Sequence, residues 1–200
     1  MFGKKVNLAI GSAQRWHIGY NAFWKSLLNC DKPNEWELLT VERKQETDAR
    51  HIIVSEVLRR DFTHLLFIDD DHVFGKDAIM RSLEHDKDIL GGLYFDRQYP
   101  HYSNVFKKDD KGYMCRWVGQ INVGLHKVDA VGNGFMLIKR KVLESMEFPW
   151  FMWDTPVEGL KVENNMRIGC DVYFCVKASN LGFDIYCDTD LIIQHIGADT

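Results

Sequence analysis

The run LLFIDDDHVF at residues 65–74 places the tightest constraint on this chain, because an apolar stretch leads directly into three consecutive carboxylates. Two unit charges about 4 Å apart repel by roughly 4 kcal/mol at an effective dielectric constant of about 20. The apolar residues predict a buried strand. We therefore expect Asp69, Asp70 and Asp71 to lie at a strand end that either binds a cation or opens to water.

Composition and charge narrow the class of protein. The 200 residues are 46% hydrophobic with a formal net charge of −4, which predicts one globular domain that does not bind nucleic acid. No apolar stretch reaches the length of a membrane span, and the first residues predict a strand rather than a signal peptide. Five cysteines without CxxC spacing favour reduced thiols, a cytoplasmic location and no zinc site.

Alternating apolar runs and helical patterns predict an α/β fold, a single domain around a mixed, mostly parallel sheet. The predicted strands cover residues 6–10, 64–68, 88–95, 128–131, 135–138, 185–186 and 191–193. The predicted helices begin at Asp48, Asp77, Lys141 and Asp171. The two glycines of DILGGLYF are expected to weaken the strand at residues 88–95.

The three carboxylates follow the strand at residues 64–68, and ligands of α/β sheets bind beyond the carboxyl ends of strands. Along an extended chain, Asp69 and Asp71 would point to one side and Asp70 to the other. Two carboxylates on one side suit a hard divalent cation that also binds phosphates. The other interpretation is a solvated strand end whose acids cap the next turn.

Four segments, in this order and over most of the chain, resemble the GT-A glycosyltransferases, particularly the family 2-like enzymes that use nucleotide-sugar donors. The segments are ETDARHIIVSEVL with THLLFIDDDHVF, DILGGLYFDRQYP, VDAVGNGFMLIKRKVLESMEFPWF, and GCDVYFCVKASNLGFDIYCDTDLIIQHIG. The resemblance implies a Rossmann-like GT-A domain with an Asp-x-Asp motif. It also implies a nucleotide-sugar-binding half, at about residues 1–100, and an acceptor-binding half, at about residues 101–200.

The resemblance implies a divalent cation, Mn²⁺ or Mg²⁺, at Asp69, Asp71 and His195. Asp71 would be the direct carboxylate ligand, and Asp69 would bond the ribose or a metal-bound water. Such a cation would act as a Lewis acid for the nucleoside diphosphate leaving group. His195 follows the last apolar strand, and its neutral imidazole is a suitable ligand. The alternative for His195 is a structural histidine held by hydrogen bonds.

The resemblance also implies a set of residues that contact the nucleotide-sugar donor. Arg50 is one of them, because its guanidinium can bind phosphate or stack on a nucleotide base. The alternative for Arg50 is an exposed arginine on the solvated face of its helix. Tyr99, before Pro100, is expected to face the donor together with the arginine of the same loop. The expected donor contacts are Ser12, Gln14, Glu42, Arg50, Asp69, Asp70 and Arg97.

An inverting transfer needs a base that takes the proton of the acceptor hydroxyl. The resemblance implies that this base is the second acid of a Glu-Asp pair at a helix start. Here the pair is Cys170-Asp171, so the first acid is missing and Asp171 is the predicted base. The alternative is that Asp171 only caps its helix. Cys170 is expected to be a buried thiol, since no histidine partner is evident.

The segment at residues 148–169 has little regular pattern, which predicts a long loop on the acceptor side. Trp150, Phe151 and Trp153 could face a sugar ring or fill the core. Gly132-Asn133-Gly134 permits close approach of the backbone to a ligand.

Together these features predict metal-dependent, inverting transfer of a sugar from a nucleotide-diphosphate sugar to a carbohydrate or other hydroxyl acceptor. One alternative is a nucleotidyltransferase that makes sugar nucleotides, for which GSAQRWHIGYN at residues 11–21 is a poor phosphate loop. The other is a catalytically silent carbohydrate-binding domain on the same fold. Association with a membrane surface or a larger assembly is left open.

Overall fold

The computed structural model describes residues 5–14, 20–117, 123–162 and 167–197. The helices are α1 (Asn21–Asn29), α2 (Glu46–Arg59), α3 (Ala78–Glu84), α4 (Arg140–Ser145) and α5 (Cys170–Asn180). The strands are β1 (Asn7–Gln14), β2 (Glu35–Glu42), β3 (His64–Ile68), β4 (His72–Val73), β5 (Ile89–Leu93), β6 (Val105–Lys108), β7 (Met114–Arg116), β8 (Leu125–Val128), β9 (Ala130–Val131), β10 (Phe135–Lys139), β11 (Ile185–Ile192) and β12 (Gln194–His195).

The central sheet has the strand order β2-β1-β3-β10-β5-β11-β8. β8 and β10 run antiparallel to their neighbours, and the other five strands share one direction. The predicted α/β domain with a mixed, mostly parallel sheet is therefore confirmed. β10 lies between β3 and β5, so both halves of the chain build one sheet. The division into a donor half and an acceptor half stays a prediction.

Apolar side chains cover both faces of the sheet, and β3 shows how its sequence achieves this. Leu65 and Phe67 pack with the helices α2, α4 and α5, whereas Leu66 and Ile68 pack with α1 and α3. Successive side chains of a strand point to opposite faces, so a continuous apolar run suits a strand that is buried on both sides. The result is a layer of helices on each face of the sheet.

Several predicted boundaries differ from the structure by a few residues, and two of the differences have a physical reason. α2 begins at Glu46, and Asp48 lies in its first turn, where acids are favourable, rather than at the cap. Two short strands were predicted at residues 185–186 and 191–193, because Asp188 interrupts the apolar pattern, but the structure has the single strand β11 there. The buried carboxylate of Asp188 accepts hydrogen bonds from Arg81, at 2.5 Å, and pairs with His85, at 2.7 Å, so the strand continues through it.

The two glycines of β5 permit close packing. A Cβ at Gly91 would lie 2.8 Å from a side-chain atom of Val131, and a Cβ at Gly92 would lie 2.8 Å from Ile193. Neither distance is tolerable between carbon atoms. The glycines therefore allow β9 and the segment after β11 to lie directly against β5.

A small second sheet of two strands lies at the carboxyl edge of the main sheet. β4 pairs with β12 in antiparallel fashion, so that His72 lies opposite His195. The backbone N–H of Ile196 donates to the carbonyl of Asp71 at 2.8 Å. This pairing brings the end of the chain back to the acidic segment after β3. Among the described helices, none is both long and apolar enough to cross a membrane.

Candidate functional site

The three acids occupy a turn at the carboxyl end of β3. The N–H of Asp69 donates to the carbonyl of Gly134 at 3.0 Å, and the N–H of His72 donates to the carbonyl of Asp69 at 3.2 Å. The predicted alternation of an extended chain is therefore wrong at this point. Asp69 lies 3.4 Å from Arg50, whereas Asp71 lies near His195, so the two carboxylates have different partners.

Asp71, His72 and His195 form a group whose potential ligand atoms all lie within 4.8 Å of one another. Oδ2 of Asp71 is 3.5 Å from Nε2 of His195, and Oδ1 is 3.3 Å from Nδ1 of His72. The two imidazole rings stack with centroids 4.6 Å apart. Two of the three predicted metal residues therefore lie together, while Asp69 lies outside this group. The sequence did not lead us to predict His72 as a ligand, although its position directly after the three acids could have indicated it.

Hydrogen bonds assign the tautomer of His195. Its Nδ1 lies 3.1 Å from the carbonyl of Phe95, so the proton is assigned to Nδ1. Its Nε2 accepts a hydrogen bond from Nε of Arg97 at 2.8 Å. Burial lowers the pKa of His195, and burial lowers the pKa of His72 to about 4. Both rings are thus neutral at neutral pH, as ligation requires.

Several buried polar atoms of this region have no hydrogen-bond partner among the described residues. Leaving such an atom unsatisfied costs about 1–3 kcal/mol, so a gathering of them at one edge indicates a place for a ligand. They lie at the carboxyl ends of β1 and β3, on α2 and just before β10. The atoms are Oγ of Ser12, Nε2 of Gln14, Nε of Arg50, Oδ1 of Asp71, both ring nitrogens of His72 and Oδ1 of Asn133.

Arg50 joins three elements at this edge. Its side chain is only 2% exposed, so it does not belong to a solvated face. It contacts Glu46, lies 3.4 Å from Asp69 and donates to Sγ of Cys170 at 3.2 Å. Burial is the largest influence on the pKa of Arg50 and would lower it, but Asp69, Cys170 and Glu46 together outweigh burial, and the pKa is raised. Burial raises the pKa of Cys170, which is the inert buried thiol that was expected.

Asp171 lies in the first turn of α5, where Gly169 is the N-cap residue. Its Oδ1 accepts a hydrogen bond from the N–H of Val172 at 2.8 Å, so it does not occupy the capping position. Burial raises the pKa of Asp171 above its ordinary value. The carboxylate lines a cavity of about 230 Å³ that is also lined by Trp153 and Phe106. Its role as a base stays a prediction.

Tyr94 connects the acidic turn with α5. Its hydroxyl accepts a hydrogen bond from the N–H of Gly134 at 3.0 Å, and its ring lies 4.6 Å from that of His72. Burial, followed by the charges of Asp69 and Asp171, raises the pKa of Tyr94. Both carboxylates therefore influence one buried phenol, and the contacts of Arg50 with Asp69 and Cys170 place the acidic turn and the start of α5 close together.

The Gly-Asn-Gly segment lies against protein side chains. A Cβ at Gly132 would lie 2.2 Å from the hydroxyl of Tyr94, and a Cβ at Gly134 would lie 2.4 Å from Cε1 of His72. The glycines therefore admit these two rings. Asn133 between them keeps its buried Oδ1 without a partner.

The other predicted donor residues follow the same edge. Ser12 and Gln14 are buried and share one face of β1, and the exposed Glu42 lies opposite Gln14 on β2. Asp70 is half-buried, and burial, followed by the charge of Asp69, raises its pKa. Tyr99 is 88% exposed. Their roles in donor binding stay predictions.

The aromatic residues of the long segment divide between core and surface. Phe151 is fully buried and stacks on Phe174 with ring centroids 4.8 Å apart. Trp150 is also buried, and its Nε1 donates to the carbonyl of Met146 at 3.2 Å. Trp153 is 46% exposed beside the cavity at Asp171. Of these three residues, Trp153 alone remains available to an acceptor.

Comparison with known proteins bears on the fold. No protein-family model matches the chain, and no curated protein sequence matches it. The solved structure of A197 from STIV matches with a TM-score of 0.65 and 20% identity, over 96% of this chain and 86% of that one. GalNAc-T7, solved with UDP, GalNAc and Mn²⁺, matches with a TM-score of 0.60 and 9% identity. That match covers 97% of this chain and 44% of the transferase, so this chain spans less than half of its length. The fold is therefore similar to that of a GT-A glycosyltransferase.

The contacts of Arg50 generate a stability prediction. Arg50→Met should lower the free energy of unfolding by about 1–3 kcal/mol, because the buried contact to Asp69 and Glu46 loses its cation. The range is below that of a fully buried pair because both carboxylates are partly exposed. Arg59→Met is the matched control on the same helix, since Arg59 is exposed and its surface ion pair should contribute much less to stability. Urea denaturation measures both, and equal small losses would contradict a structural role for Arg50.

Proposed function

We propose that this chain is a divalent-cation-dependent glycosyltransferase, which transfers a sugar from a nucleotide-diphosphate sugar to an acceptor hydroxyl with inversion. The proposal depends most on the group of Asp71, His72 and His195, which lies at the carboxyl edge of a GT-A-like sheet beside buried atoms that lack partners. The presence of UDP, GalNAc and Mn²⁺ in the GalNAc-T7 structure supports this class of ligand.

The residues present fit a divalent cation. Asp71 would offer a carboxylate oxygen, and His195 would offer Nε2, whose tautomer the carbonyl of Phe95 sets. Among the described residues, neither ring nitrogen of His72 forms a hydrogen bond, although Nδ1 lies 3.3 Å from Oδ1 of Asp71, and His72 is the third candidate. One carboxylate with neutral imidazoles favours Mn²⁺ over Mg²⁺, which prefers oxygen ligands. When bound, the cation supplies Lewis-acid stabilisation of the diphosphate leaving group.

The donor nucleotide would lie along the ends of β1 and β3. Oγ of Ser12 and Nε2 of Gln14 would find their missing partners on polar groups of the nucleoside. Asp69, held in place by Arg50, would accept a hydrogen bond from the ribose. Arg97, on the loop after β5, has a planar guanidinium suited to phosphate oxygens.

The acceptor would occupy the cavity beside α5. As the acceptor oxygen forms its bond to the anomeric carbon, Asp171 would take the hydroxyl proton on its carboxylate, while the bond to the diphosphate oxygen breaks. Burial raises the pKa of Asp171, and a higher pKa makes a carboxylate a stronger base. The exposed ring of Trp153 would give a sugar a flat apolar contact.

The sequence left two other functions open, and no contact in the described residues favours either of them. The poor phosphate loop of a nucleotidyltransferase falls partly on residues 15–19, which lie outside the described residues. A catalytically silent carbohydrate-binding domain would differ in having no turnover of nucleotide sugars.

The cation group generates a binding prediction. Asp71→Asn should abolish manganese-dependent binding of UDP, because it removes the carboxylate shared by both histidines. Asp70→Asn, a matched control one residue earlier, should have a smaller effect because Asp70 lies outside this group. Calorimetric titration of UDP with and without Mn²⁺ measures both variants. Negligible or equal effects of the two changes would contradict the proposed cation site.

The position of Asp171 generates a kinetic prediction. Asp171→Asn should lower turnover by about 10²–10⁴, with donor affinity within a few-fold of the parent, because a general base acts on the acceptor. In the parent, turnover should fall as the pH falls through the raised pKa of Asp171, since the carboxylate must be ionised. Pre-steady-state assays and NMR of the product's anomeric centre check this. Normal turnover in the variant, or retained configuration, would contradict it.

A further inference from the structure

Arg97 occupies the position between two of the atoms assigned above to the cation. Its Nη2 contacts Oδ2 of Asp71, and its Nε donates to Nε2 of His195 at 2.8 Å. Asp71 is only 14% exposed here, so the carboxylate is largely shielded from water. The positively charged guanidinium thus contacts one carboxylate oxygen of Asp71 and Nε2 of His195, which belong to two of the groups that a divalent cation would need.

The two cations cannot share these atoms. Nε2 of His195 has a single lone pair, because the ring is neutral and carries its proton on Nδ1 toward Phe95. That lone pair either accepts the Nε–H of Arg97 or binds a metal. Two cations on the same carboxylate of Asp71 would also repel each other strongly in a half-buried site.

We propose that Arg97 is the resting counter-cation of this site, that a divalent cation displaces it, and that the released guanidinium then binds the donor diphosphate. This inference depends on the function proposed above. It assigns Arg97 two alternative positions, one in each state of the site, and makes the binding of cation and diphosphate cooperative. Each ligand favours the state in which Arg97 has left Asp71.

The loop that carries Arg97 permits this exchange. Two backbone hydrogen bonds join the two ends of this loop. The N–H of Asn104 donates to the carbonyl of Tyr94 at 3.0 Å, and the N–H of Asp96 donates to the carbonyl of Tyr102 at 2.9 Å. The side chain of Arg97, which lies between these two ends in the sequence, is 40% exposed. A Cβ placed at Gly197 would lie 3.9 Å from Cδ of Arg97, an ordinary contact distance, so the neighbouring turn is not packed tightly against this side chain.

Arg97→Ala should therefore have opposite effects on the two ligands. Manganese alone should bind about tenfold more tightly, because no charge-assisted contact has to break first. UDP in saturating manganese should bind about tenfold more weakly, because the diphosphate loses a bidentate donor. Arg116→Ala is the matched control, since it removes an equal charge that pairs with Asp96, the neighbour of Arg97. It should change manganese affinity by less than about threefold.

Calorimetry with MnCl₂ alone, and then with UDP, measures these affinities, and thermal melting verifies that all variants fold. Equal changes of manganese affinity in the two variants would overturn the inference and leave the cation site intact. Tighter manganese binding with unchanged UDP binding in Arg97→Ala would contradict the proposed contact of Arg97 with the diphosphate. Manganese binding that is detected in Arg97→Ala but not in the parent would support displacement most strongly. No manganese binding in the parent or in Arg97→Ala would contradict both the cation site and the inference.

Discussion

Electrostatic repulsion among the carboxylates after β3 is the constraint on which the arrangement of this site depends. The chain turns at Asp69, so the charges do not line one side of a strand. Arg50 from α2 lies against Asp69, and Arg97 from the loop after β5 lies against Asp71. The acidic turn is thus held by cations from two separate elements, one almost fully buried and one partly exposed.

The mixed sheet determines which groups reach this turn. β10 runs antiparallel between β3 and β5, so its amino end meets the carboxyl ends of its neighbours. This places Gly134 where its carbonyl accepts from Asp69 and where the lack of a Cβ admits the rings of Tyr94 and His72. The segment after β11 returns His195 to the same edge through its pairing with His72.

Arg50 also connects the acidic turn with the start of α5, the proposed donor and acceptor sides of the site. It contacts Asp69 in the turn and Cys170 at the start of α5, and Asp171 follows Cys170 directly. One buried guanidinium therefore lies between the acidic turn and the residue that precedes Asp171. In the proposed reaction, this arrangement fixes the base relative to the leaving group, as positioning of two reactants requires.

The sequence predicted the features that local pattern controls. β3 and α5 lie within one residue of their predicted starts, because their apolar spacing is strong. The turn at Asp69 could not be predicted, since the N–H of Asp69 donates to the carbonyl of Gly134, which lies far along the chain. His72 was missed for the same reason, because its proximity to His195 depends on the pairing of β4 with β12. The resemblance to a family predicted that Asp71 and His195 belong to one site, which the residue pattern alone could not predict.

Anomalous X-ray diffraction at the manganese absorption edge, from crystals grown with MnCl₂ and UDP, tests the central claim most directly. We predict one strong anomalous peak bound by the carboxylate of Asp71 and Nε2 of His195, in contact with the diphosphate, with Arg97 moved from Asp71 to the phosphate oxygens. UDP bound without an anomalous peak at Asp71, or a manganese ion elsewhere with Arg97 still on Asp71 and His195, would contradict it.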